Sequence, residues 1–149
     1  MATLKEQLAR ANGIKSNRIE DDIIAFVRSL ESELVQLEKD RLFNESKDIL
    51  GNAIGFYSKA TEMLSKGAKK EGEPFTAKDT GDFFKGFYMH EGGGVFNFFS
   101  SDSKTTAILR SDNWLSDEIF GLSDKDLRMV IQTKILPFVQ VNIKNQLNL

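Results

Sequence analysis

Two short aromatic-rich runs, Asp82–His90 and Val95–Phe99, stand on either side of Glu91-Gly92-Gly93-Gly94. A glycine run in that position leaves the chain few options. Glycine reaches the positive φ angles that tight hairpin turns demand, and aromatic side chains favour a pleated, half-buried surface. The pattern therefore predicts an antiparallel β-hairpin with a glycine tip. Phenylalanine dominates the aromatic residues, with twelve Phe against two Tyr and one Trp. Many of them crowd into residues 75–99, which marks that stretch as the centre of the core or of an interface.

Helical signals surround the hairpin. Thr3-Leu4-Lys5-Glu6 is a capping box and Gly13 supplies a stop, predicting a short helix over Leu4–Ala11. Asn17-Arg18-Ile19-Glu20 repeats the capping logic and opens a longer helix. In it Ile23, Val27, Leu30, Leu34 and Leu37 recur at steps of four and three, with Glu31, Glu33, Glu38 and Lys39 off the seam. Because the run is only about two heptads, it fits an amphipathic helix covering the domain before it fits an intersubunit coiled coil. A second apolar stripe (Ile49, Leu50, Ala53, Ile54, Tyr57, Ala60, Met63, Leu64) predicts a helix over Glu45–Lys66, with Gly51 and Gly55 as sites of close backbone packing. Gly67–Pro74 is a charged loop. Ser123-Asp124-Lys125-Asp126 caps a last helix that Pro137 either kinks or restarts. The order of elements predicts an α+β fold: N-terminal helices, a small antiparallel sheet built on the hairpin, and a C-terminal helix packed on it. Residues 1–43 form a helical arm and 44–149 the main domain.

Composition excludes several classes of function. With no cysteine there is no disulfide, thiol nucleophile, iron–sulfur cluster or Cys-type zinc site. A formal net charge of -2 offers no surplus of cations for a polyanion, so sequence-specific nucleic acid is not an expected partner. No apolar run approaches the ~20 residues of a membrane helix and no signal peptide is visible, so the chain is expected to fold in a cytoplasm, away from the membrane.

Three strings invite a chemical reading. Asp79-Thr80-Gly81 is the triplet with which aspartic proteases hold one of two paired carboxylates. Here it follows polar residues, precedes Asp82, and has no second half later in the chain, so it is expected to be a turn opening a strand, with Gly81 left-handed. Gly92-Gly93-Gly94 lacks the helix start and the Lys or Ser/Thr of a phosphate loop. His90 is the only histidine, which rules out a His-pair metal site. The residues point to no catalytic group, cofactor or metal.

The stretch from Asp79 to Phe87 (Asp-Thr-Gly-Asp-Phe-Phe-Lys-Gly-Phe) resembles the small tailed-phage proteins called head–tail connector, neck or tail-completion proteins. The chain is also similar to prophage proteins carrying a Lys-Asp-Thr-Gly-Asp-Phe string, here Lys78–Phe83, and an Ile-Phe-Gly-Leu-Ser string, here Ile119–Ser123. The resemblance covers residues 45–149. It implies a helix leading through a loop into the Asp79–Gly81 turn, an antiparallel sheet, and a Pro137-Phe138 step near the last helix. It further implies a non-enzymatic virion component, made in the bacterial host cytoplasm and assembled as a homo-oligomeric ring against other neck, portal or tail proteins. Phe83, Phe84, Phe87, Phe96 and Phe98, with Ile23, Val27, Leu30 and Leu34, are the expected subunit contacts. Two alternatives are a cytoplasmic aspartic-type hydrolase using Asp79 and a helical adaptor binding a partner through Ile23–Leu37.

Overall fold

The structure, a computed structural model, describes residues 3–76, 81–103, 105 and 117–149. It is an α+β protein with helices at both ends and a two-stranded antiparallel sheet. The chain forms two compact units, residues 1–30 with 125–149, and residues 31–124.

The first unit is helical. Helix α1 (Leu4–Gly13) starts at the predicted capping box, with the Thr3 hydroxyl accepting from Glu6 N–H and the Glu6 carboxylate accepting from Thr3 N–H. Helix α2 (Ser16–Ser29) begins one residue before Asn17, without a side-chain cap. The C-terminal helices belong to this unit, a grouping different from the expected division at residue 43. The reason is specific contact: Phe138 stacks on Phe26 with centroids 4.1 Å apart, Arg10 Nη1 donates to Leu147 O (3.0 Å), and Asn142 Nδ2 donates to Asp22 Oδ2 (2.9 Å). Pro137 sits in the first turn of Leu136–Leu147, directly after a widened π turn, Ile131–Ile135. A first-turn proline needs no intrahelical donor, so the helix restarts there.

The second unit begins with helix α3 (Glu31–Asp40), which runs into a π turn at Arg41–Glu45 and ends at Ser46 in the left-handed region (φ 54°). The predicted helix over Glu45–Lys66 does not form. Asp48 captures the N–H groups of Leu50 (2.9 Å) and Asn52 (2.8 Å) on one carboxylate oxygen, offering the backbone an alternative to helical bonds. Gly51 (φ 86°) and Gly55 (φ 141°) then take conformations no helix contains, so they are turn glycines and not packing sites. Only α4 (Lys59–Leu64), capped by Ser58, remains helical, and Leu50, Met63 and Leu64 of the supposed stripe are exposed.

Gly81 is left-handed as expected (φ 87°), but it caps a single helical turn, α5 (Asp82–Lys85), and the first strand starts later, at Phe87. Asp79 and Thr80 lie outside the described residues, as does most of the stretch between Lys104 and Ser116. Strands β1 (Phe87–Gly92) and β2 (Val95–Ser100) pair from Phe87↔Ser100 to Gly92↔Val95. The two-residue loop, Gly93-Gly94, has φ 63° and 80°, the double positive φ of a type I′ turn.

Where α5 meets the hairpin the backbones come close. A Cβ on Gly86 would lie 2.8 Å from Ser100 Oγ and 2.9 Å from Asp102 N. Gly86→Ala should therefore lower stability by about 1–3 kcal/mol through overpacking. Gly13→Ala, with nothing within 4 Å of its Cβ, is the control and should be neutral or slightly stabilising. Parallel thermal melts would check this, and equal melting temperatures for the two variants would refute it.

Candidate functional site

Alternation along the hairpin sorts its side chains onto two faces. Phe87 and Met89 are buried on one face, with Phe96 and Phe98 of the other strand half-buried on the same face. Phe87 packs edge-on against Phe83 (4.9 Å) and also meets Phe84 (5.5 Å) and Phe120 (5.6 Å). Of the expected contact residues, then, Phe83 and Phe87 serve the core of the chain itself, while Phe84, Phe96 and Phe98 stay half-buried. Val27 and Leu34 are buried too, and Ile23 and Leu30 are half-buried.

The other face is open. Tyr88 (41%), Phe99 (44%) and Val95 (57%) are exposed there, beside His90 and Asn97. None of these three apolar residues was singled out in the sequence; the signal was the alternation itself, whose phase a one-residue shift would have inverted.

The two edges of the hairpin differ as well. With Gly92↔Val95 closing a two-residue loop, the backbone groups of Phe87, Met89 and Glu91, and of Phe96 and Phe98, point outward. On β1, the Met89 N–H donates to Glu31 Oε1 of α3 (3.0 Å), so a carboxylate covers that edge. On β2, no strand among the described residues pairs with the outer edge. A groove of about 360 Å³ runs beside it, lined by Phe96, Phe98, Phe99, Thr105, Phe120 and Gly121.

Beneath this lies a buried charge hub that the sequence pattern misplaced. Glu38, assigned to the solvated side of the heptad seam, is fully buried, and Arg41 three residues on is 3% exposed. The Arg41 guanidinium donates to three carbonyls: Lys47 O (3.1 Å), Gly121 O (2.6 Å) and Ile119 O (2.6 Å). Gly121 N–H donates to Glu38 Oε1 (3.0 Å), and Glu38 Oε2 has no partner. Burial pushes the Glu38 carboxyl up to about 8, against the opposing pull of the Gly121 N–H and of the Arg41 and Lys39 charges. A carboxyl with a raised pKa suits general acid–base work when it faces a cleft. Glu38 has no exposed surface, so its arrangement suits structure: it and Arg41 clamp Ile119–Gly121 and Lys47 onto α3. Ile49 N–H completes the clamp by donating to Glu118 O (2.9 Å).

Among the described residues no group of three or more His, Asp or Glu could hold a metal ion, and no helix is long and apolar enough to cross a membrane. His90 is exposed opposite Asn97. No family model, no curated protein and no solved structure matches the chain.

Proposed function

We propose that this chain is a non-enzymatic assembly protein of a tailed phage or prophage, forming a homo-oligomeric ring at the head–tail joint or tail terminus. It is made in the host cytoplasm and works in the virion. The observation that carries the assembly role is the hairpin: an exposed apolar face of Tyr88, Val95 and Phe99 next to the outer edge of β2, with which no strand among the described residues pairs. Strand β2 (Val95–Ser100) contains no charged residue. Edge strands that must stay free are commonly blunted by charge, proline or a bulge, whereas an uncharged apolar edge invites another chain. The resemblance at Asp79–Phe87 supplies the phage context. A ring through which DNA passes without being read also suits a chain of net charge -2.

The test is assembly. Co-expressed with portal and tail proteins of a tailed phage, the wild type should co-purify in a neck or tail complex. A Tyr88→Ser/Phe99→Ser double variant should fold normally, because both side chains are exposed, yet fail to co-assemble. Co-assembly of the double variant at wild-type yield would refute the hairpin's role.

A further inference from the structure

The two compact units carry opposite charge. Residues 1–30 with 125–149 hold nine Lys/Arg against five Asp/Glu, a net +4. Residues 31–124 hold eleven Lys/Arg against seventeen Asp/Glu, a net -6. The overall -2 conceals this separation. On the basic unit, a polar cavity of about 460 Å³ lies between the start of α2 and the end of the C-terminal helix. It is lined by Arg10, Arg18, Asp22, Asn142, Asn145 and Gln146. Its polar groups are unevenly committed. Asp22 accepts from Asn142 Nδ2, Asn142 Oδ1 accepts from Gln146 Nε2 (2.6 Å), and Arg10 Nη1 donates to Leu147 O. The Arg18 guanidinium is exposed and has no side-chain partner among the described residues. A cavity with one uncommitted guanidinium, a second nearby and carboxamide donors suits carboxylates, which guanidinium groups bind through paired, charge-assisted bonds.

Building on the assembly reading above, we infer that this cavity takes carboxylate side chains from the acidic unit of a second copy, so that copies join head to tail, basic unit to acidic unit. Charge complementarity selects the occupant, since each chain carries both the cavity on its unit of net +4 and a unit of net -6. Asp40 and Glu45, exposed at the two ends of the π turn, are the acids chosen to test the contact. A contact between unlike surfaces of identical chains is heterologous, and repeated with a closing rotation it generates a ring.

Sedimentation velocity on the full chain tests this, with Arg18→Ala as one variant and Asp40→Asn/Glu45→Gln as the other. All three side chains are exposed, so folding should be unaffected, and circular dichroism would check that. The wild type should self-associate at low salt and lose about tenfold or more in affinity as added salt shortens the Debye length from about 30 Å to below 10 Å. Each variant alone should lose about tenfold or more. An equimolar mixture retains one intact pair of surfaces and should form a dimer that grows no further. A wild type that stays monomeric at low salt, or self-association indifferent to salt and to both variants, overturns the inference. So does a mixture that builds past the dimer. Co-assembly of the wild type with neck and tail proteins despite any of these results would leave the assembly reading standing and discard only this contact.

Discussion

Arg41→Met should destabilise the protein by about 3–5 kcal/mol, because three carbonyls lose a charged donor together at about 1–3 kcal/mol for each group left unsatisfied. Methionine fills much of the same volume, so lost packing is not the main term. The carbonyls of Lys47, Ile119 and Gly121 lose a donor together, in a site where Arg41 is 3% exposed and water cannot easily replace it. Glu38, fully buried beside it, loses the nearest positive charge. Because this guanidinium supplies two of the bonds that hold Ile119–Gly121, the variant should also become sensitive to proteolysis near Phe120. Urea unfolding measures the first effect and limited proteolysis the second. A midpoint within about 0.5 kcal/mol of wild type would mean that the hub is not a stability element, since that is the ordinary scatter of surface substitutions.

The second large effect is a pH dependence. Glu38 has an ordinary carboxyl value of 4.5 and sits at about 8 in the folded protein. Between those values the native state holds a proton that the unfolded chain has released. Raising the pH through this window therefore favours unfolding, by at most about 1.4 kcal/mol per pH unit from this one group. Below 4.5 the carboxyl is protonated in both states and the dependence vanishes; above 8 it is ionised in both and the loss is complete. Glu38→Gln keeps a carbonyl-type acceptor for the Gly121 N–H and removes the titration. The wild type should lose stability from pH 5 to pH 8.5, while the glutamine variant should lose markedly less and become the more stable of the two at the alkaline end. Parallel slopes for the two proteins in thermal melts across that range would refute the assignment.

Some elements were legible because their signals are local. The Thr3–Glu6 capping box involves residues three apart, and no distant contact decides whether it forms. The Gly93-Gly94 loop was legible for the same reason, since its φ values exclude most other residues. The failed helix over Glu45–Lys66 shows where locality misleads. Apolar spacing predicted it, but Asp48 competes for the same N–H groups, and the Ile49 N–H goes to Glu118, nearly seventy residues away. A hydrophobic period cannot register a competitor of that kind. Glu38 failed in the opposite direction: a heptad places it outward, and only the Gly121 N–H and the Arg41 guanidinium explain why it lies inside.

The hairpin shows both sides of this. By itself the sequence determined that the chain turns back on itself within Glu91–Gly94 and that the aromatic residues on either side would gather, because backbone sterics and aromatic burial require nothing beyond the segment. Only the tertiary structure decided which aromatics are spent inside the chain and which stay exposed. Phe87 faces inward because Phe83 and Phe84 pack against it; Tyr88 and Phe99 are left exposed on the opposite face. Residues of identical hydrophobicity thus take opposite roles through the phase of the strand, and the packing of other elements against one face sets that phase.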